Sequence, residues 1–154
     1  MITKAVSMKL MADRGNSTRL EQVHRTTFLG AKENHCIENS LNYVRHVQDA
    51  YMVIGWCVGE YKHNWGSAII PHCWVVDKSG SHLDVTPLPM NANKEFDYVS
   101  DDDVADLYLD ENKWLLSLRM TTDDRYQIRL APGVFHDIPD VKTDTLKQYC
   151  QKTI

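Results

Sequence analysis

Tyr51 to Glu60 (Tyr-Met-Val-Ile-Gly-Trp-Cys-Val-Gly-Glu) is a nearly unbroken apolar run. It is too short for a separate helix and rich in β-branched and aromatic residues. It therefore predicts a central strand, buried on both faces. Gly55 within the run predicts a bulge or a close approach by another group. A polar loop, Tyr61 to Ser67, leads to a second strand over Ala68 to Asp77. The turn Asp77-Lys78-Ser79-Gly80 returns that strand on Ser81 to Thr86, and Pro87 and Pro89 end it. The pattern predicts a β-hairpin. A turn centred on Lys78 and Ser79 sets His72 about opposite Val85, one position from Asp84. A loop one residue longer, or a bulge, brings Asp84 beside His72.

The helix before this sheet is also legible. Ile37, Leu41 and Val44 recur at helical spacing, and Asn34 is a good N-cap, so the helix spans about Asn34 to Asp49 with Cys36 in its first turn. Upstream, the alternation of Val6, Met8 and Leu10 predicts a short strand. Asp13 to Ser17 is a turn, and Thr18 to Leu29 reads as a short helix ended by Gly30. Downstream, Asn91 to Asn93 is a loop. Ser100 is placed to cap a helix over Asp101 to Leu109, with Val104, Leu107 and Tyr108 inward. Trp114 to Met120 and Arg125 to Leu130 read as a hairpin, and Thr143 to Gln151 as a terminal helix. The order predicts one α+β domain over residues 1–154, with its core in 34–87. In it an N-terminal catalytic helix packs on an antiparallel β-sheet.

Bulk properties exclude some functions. The net charge of -4 gives no footprint for nucleic acid, and no apolar run is long enough for a membrane span. Asp101-Asp102-Asp103 reads as a solvated helix end. The four cysteines (Cys36, Cys57, Cys73, Cys150) form no CxxC pair and no export signal precedes them. The expectation is a cytoplasmic protein with reduced thiols.

The chemistry concentrates in three residues. Cys36 starts a helix, His72 lies on a strand and Asp84 on the next. This is the layout of a thiol nucleophile, its base and the base's orienter. A helix N-terminus offers partial positive charge and unpaired N–H groups, which favour a thiolate and can hold an oxyanion. A histidine in so apolar a strand also needs a hydrogen-bond partner. Candidate substrate contacts are Asn34 and His35 beside the nucleophile, Asn39 on its helix face, and Trp56, Glu60, Trp65 and Trp74. Asn39 equally fits a loop-holding role and Trp56 a core role, while His82 is a second histidine beside Asp84. His35-Cys36 and His72-Cys73 resemble zinc ligands. Adjacent strand residues face opposite sides, however, so no metal or other cofactor is expected.

Cys36-x-x-Asn39, Gly55-Trp56, Glu60, His72-x-Trp74 and Asp84-x-Thr86-Pro87 together resemble the papain-like superfamily in its Cys–His–Asp form. The transglutaminase-like and NlpC/P60-like branches share this order. The nearest likeness is to small bacterial and phage proteins, over about residues 34–87. The resemblance implies Cys36 as nucleophile, His72 as base and Asp84 as orienter, acting on an acyl or amide carbon. Gly30 stands where papain-type enzymes carry an oxyanion-hole glutamine, so that donor would come from Asn34, His35 or the Tyr61–Ser67 loop. The implied function is a cysteine-dependent hydrolase or acyl transferase on an amide, peptide or isopeptide bond. Its substrate would be a protein, a peptide or a small amide. The alternative is a non-enzymatic phage or bacterial binding module on the same fold, capturing or blocking a host factor or small molecule.

Overall fold

The computed structural model describes residues 2–15, 17–26, 28–60, 66–87, 96–108 and 117–152. In chain order these form α1 (Ile2–Arg14), β1 (Thr18–Glu21), β2 (Val23–Arg25), α2 (Cys36–His46), β3 (Tyr51–Glu60), β4 (Ser67–Val76) and β5 (His82–Asp84). There follow β6 (Asp97–Asp101), the single turn α3 (Ala105–Tyr108), β7 (Leu118–Met120), β8 (Tyr126–Ala131), β9 (Val134–Asp137) and α4 (Thr143–Lys152). The strands make one sheet in the order β1-β6-β3-β4-β7-β8-β9, with β5 attached to β4 and β2 beyond β5. All pairings are antiparallel except β2 with β5. The fold is α+β, with α1 packed on the sheet through Val6 and Leu10. No described helix is long and apolar enough to cross a membrane.

β3 and β4 pair along their full lengths, from Tyr51 with Val76 to Glu60 with Ser67. The apolar run is therefore the central strand that its composition requires. Side chains alternate across it. Trp56 and Val58 of β3, with Ile69 and Cys73 of β4, share one core with Leu10 of α1, Cys36 of α2 and Leu146 of α4. Cys57 and Trp74 form a smaller core with Tyr98. Gly55 is a point of close approach. A Cβ there would lie 2.0 Å from the Val99 carbonyl oxygen, 2.8 Å from Trp74 Cη2 and 2.9 Å from Ser100 Cα. Two of these atoms are backbone and cannot swing aside. Gly55→Ala is expected to cost about 3 kcal/mol or more in urea denaturation. A loss below about 1 kcal/mol would show that β3 and β6 part easily.

The outer edge of β4 has a gap. Ser67 to Ile69 pair with β7, and Val75 and Val76 pair with β5. Residues 70–74 between them have no strand on that side among the described residues. The helix α2 packs against β4, and Cys36 at its start joins Cys73 of this stretch in one buried cluster.

Several local expectations fail for identifiable reasons. Val6 to Leu10 is helical. Val6 and Leu10 are buried at 7% and 0% while Met8 is 55% exposed, so the spacing of four matters and the spacing of two does not. Thr18 to Leu29 holds strands, because the edges of β6 and β5 take up its backbone groups. In α2 the buried stripe is Cys36, Asn39 and Ser40, and Leu41 is 37% exposed. Tertiary contact has turned the helix toward its polar residues. Ser100 caps no helix: it lies in β6, and the helix after it is only α3. The hairpin and the terminal helix match β7, β8 and α4. Trp114 to Leu116 and Asn91 to Asn93 lie outside the described residues.

Asp101 is likewise not a solvated helix end. It is 1% exposed and accepts from Arg14 Nε at 2.7 Å and from Trp56 Nε1 at 2.8 Å through Oδ2. Its other oxygen accepts the Asp103 N–H at 2.9 Å and the Ser17 hydroxyl at 3.3 Å. Arg14 also donates through Nη1 to the Val141 carbonyl at 2.9 Å and to Thr143 Oγ1 at 3.0 Å. The network ties α1, β3, β6 and α4 together.

Candidate active site

The hairpin register assembles the site. Val75 pairs with Leu83 and Val76 with His82, one residue beyond a turn centred on Lys78 and Ser79. The extra length is held locally. The Asp77 carboxylate accepts the Ser79 N–H at 2.9 Å and the Ser81 N–H at 3.1 Å. Continued by one step, this register sets Asp84 across from Trp74. Asp84 and His72 then share a face as diagonal neighbours, within reach of long side chains. His72 Nε2 lies 2.9 Å from Asp84 Oδ2. The longer loop, rather than a bulge, makes the contact.

Asp84 is 2% exposed and held by two further donors. The Tyr98 hydroxyl donates to Oδ2 at 2.7 Å, and the Thr86 backbone N–H to Oδ1 at 3.1 Å. Burial disfavours the carboxylate. The hydrogen bond and charge of His72, with the Tyr98 and Thr86 donors, outweigh it and hold Asp84 below the usual carboxylate range. Sequence reading missed Tyr98, although Phe96-Asp97-Tyr98-Val99 carries the aromatic and β-branched content of a strand. Two other rings orient the imidazole. Trp74 lies against His72 with centroids 6.3 Å apart and planes at 25°, and Trp74 Nε1 donates to His82 Nδ1 at 3.0 Å. His82 thus serves as an acceptor that locks Trp74.

Cys36 is the first residue of α2. Its N-cap is His35, with no side-chain capping bond, and Asn34 takes a left-handed φ of 60°. The expected capping role of Asn34 is therefore wrong: a chain reversal places the thiol at the very start of the helix. Cys36 is 5% exposed. It meets both Cys73, which faces the helices, and His72, which faces the other side. The open edge of β4 makes both contacts possible. The Cys36 thiol is drawn well below its ordinary range. The hydrogen bond with the Cys73 side chain contributes most, burial opposes, and the hydrogen bond and charge of His72 add to the lowering. Burial alone would lower His72. The hydrogen bonds with Asp84 and Cys36, and their negative charges, push it up to about 9 instead. Thiolate and imidazolium thus support each other, with Asp84 on Nε2 leaving Nδ1 for the sulfur.

The proposed substrate contacts separate into groups. Asn34 and His35 are exposed beside Cys36, and His35 Nδ1 lies 2.6 Å from the Glu33 carbonyl oxygen. Asn39 is buried and holds a loop: it donates to the Lys32 carbonyl at 2.7 Å and to Thr86 Oγ1 at 3.1 Å, and accepts the Lys32 N–H at 3.0 Å. Trp56 and Trp74 are both 0% exposed, so neither is a substrate platform; their indole N–H groups are committed to Asp101 and His82. Glu60 pairs with Ser67 at the far end of the hairpin, five positions from Gly55, which opposes His72. At about 3.4 Å per residue it lies some ~17 Å away along the strand. Trp65 lies outside the described residues. Among the described residues no three His, Cys, Asp or Glu side chains gather to hold a metal ion. No family model, curated protein or solved structure matches this chain.

Proposed function

We propose that this chain is a cysteine-dependent hydrolase or acyl transferase with a papain-like or transglutaminase-like core. It acts on an amide, peptide or isopeptide bond of a protein, a peptide or a small amide. One observation carries the reading: His72 Nε2 is hydrogen-bonded to Asp84 at 2.9 Å, and the ring and the Cys36 thiol at a helix start shift each other's ionisation, the thiol down and the ring up. In this reading the Cys36 thiolate attacks the acyl carbon, and N–H groups at the start of α2 receive the oxyanion. The His72 imidazolium protonates the departing amine. It then takes the proton of the water or amine that opens the thioester. Asp84 holds the ring in place, and Tyr98, Thr86 and Asn39 hold Asp84 and its loop. The buried free thiols Cys36, Cys57 and Cys73 suit a reducing, cytoplasmic setting.

The 5% exposure of Cys36 favours the second reading, a binding module that uses the same groups to hold a host factor or small molecule. Iodoacetamide labelling separates the two. The thiolate form is the reactive one, so a catalytic Cys36 is expected to label fast at pH 6, where ordinary thiols barely react. Cys57, whose thiol is pushed up chiefly by burial, and Cys73, pushed up chiefly by its hydrogen bond with Cys36 and then by burial, are expected to stay unlabelled. Slow labelling of Cys36 would turn the assignment to the binding module. Acyl transfer itself also needs the protonated ring. Its rate is expected to rise below neutral pH, as Cys36 ionises, and to fall near pH 9, as His72 loses its proton.

A further inference from the structure

We propose that Cys36 and Cys73 form a reversible disulfide when the nucleophile meets a hydroperoxide, so that Cys73 is a resolving thiol built into the site. The inference rests on the proposed thiol chemistry at Cys36 and extends it to regulation of that site.

The argument is geometric. Cys73 sits on the stretch of β4 that no described strand covers, and the start of α2 occupies that place. The two cysteines belong to one buried cluster. Each thiol is the foremost influence on the other's ionisation, as neighbouring sulfur groups in one cluster are. Cys73 is 0% exposed, so bulk oxidants and partner thiols reach Cys36 first. Among the described residues the other buried free cysteine, Cys57, lies in the opposite core. It is not placed to compete.

The chemistry balances. The Cys36 thiolate attacks the peroxide oxygen. One oxygen transfers to sulfur and the other leaves, after taking a proton, as water from hydrogen peroxide or as the alcohol of an organic hydroperoxide, so Cys36 is oxidised to a sulfenic acid and the peroxide is reduced. Cys73 then attacks that sulfur, its S–H proton joins the departing hydroxyl, and water leaves as the S–S bond forms. The thiol of Cys73 is held protonated chiefly by its hydrogen bond with Cys36 and by burial. Conversion of Cys36 to a neutral sulfenic acid removes the adjacent anion and eases that step. The bond would disable the nucleophile while protecting it from irreversible oxidation, and a dithiol would restore it.

The test treats the full chain with hydrogen peroxide, blocks remaining thiols with N-ethylmaleimide, and maps peptides by mass spectrometry. The expected result is a linked pair of peptides carrying Cys36 and Cys73, lighter by two hydrogens and released by dithiothreitol. Cys73→Ser keeps a hydroxyl donor at the position that most lowers the Cys36 thiol, so Cys36 should still alkylate, with its pH profile shifted upward rather than lost. Under peroxide it should accumulate the sulfinic acid instead. A wild-type Cys36 that alkylates fast, yet gains oxygen or stays reduced under peroxide with no link to Cys73, overturns the proposal and leaves the nucleophile intact. A Cys36 that neither alkylates nor links overturns the proposal and the reading beneath it.

Discussion

Replacing His72 by alanine is expected to slow alkylation of Cys36 at pH 6 by about tenfold, and to abolish acyl transfer. The reasoning weighs two opposed effects. With His72 present, most of Cys36 is thiolate at that pH. At the limit, a thiol returned fully to the ordinary value of about 8.5 would be only roughly 0.3% ionised, a loss of some ~300-fold, and the retained Cys73 hydrogen bond keeps the real loss below that. The more basic thiolate is intrinsically more nucleophilic and regains roughly 25- to 55-fold at that limit. The net loss is therefore modest for a small alkylating agent. It is much larger for acyl transfer, which also loses its proton donor. The pH of half-maximal alkylation should move up from below 6 but stop short of about 8.5, because the Cys73 hydrogen bond, the largest influence on the thiol, remains. An unchanged pH profile would mean that Cys73 and the helix terminus hold the thiolate without the ring.

The same variant tests the stability linkage. The pKa of His72 is raised on folding from 6.5 to about 9. Its contribution to stability is thus fully present below pH 6.5 and is lost as pH rises through about 9. Asp84 is lowered, so its contribution is present above the ordinary carboxylate range and disappears as pH falls through its folded value. The His72 loss falls between pH 6.5 and about 9, where Cys36, lowered on folding to about 5, contributes in the opposite sense; the melting temperature of Cys36→Ser should therefore fall across this window, and adding His72→Ala should remove the fall.

Asp101→Ala is expected to cost about 3–5 kcal/mol, since it strands a buried guanidinium. The side chains of Arg14 and Asp101 are 1% and 0% exposed and 2.7 Å apart. Arg14 Nη2 is already buried with no partner, so the arginine has no slack to absorb the loss. Trp56 Nε1 would lose its acceptor as well. For a chain of this size the melting temperature should fall by roughly 10 °C. The double variant Arg14→Met, Asp101→Asn removes both charges yet keeps an acceptor for Trp56. It should recover at least half of the loss. A single variant within about 1 kcal/mol of wild type would show that water reaches the guanidinium.

The two buried networks differ in how far residue pattern could locate them. His72 announced itself, because a polar ring amid Ile69, Ile70, Trp74 and Val75 must be satisfied by something. Asp84, on the other arm of the same hairpin, was the nearest carboxylate that could do so. Arg14 and Asp101 gave no such signal: one sits beside a turn glycine and the other in an acidic run, and both contexts usually mean solvent. Their pairing spans 87 positions and exists only because α1 lies across β6. Tyr98 was hidden for a similar reason, since its strand follows a stretch without a turn or period signal.

Local chemistry alone determined the β3–β4 hairpin, a helix with Cys36 in its first turn, the need for space at Gly55, and the identity of Cys36, His72 and Asp84 as the candidate residues. Each follows from short-range terms: periodicity, turn residues and the cost of burying a polar group. Tertiary structure decided what short-range terms leave degenerate. The α1 segment satisfies both a period of two and a spacing of four, and only burial against the sheet selects the helix. A shift of one residue in the β4–β5 loop reverses which face Asp84 presents, and the loop's own hydrogen bonds choose the productive register. Whether Cys36 could touch residues on two opposite faces of a strand was decided by the gap in the outer edge of β4, which arises only when β5 and β7 both pair with that strand.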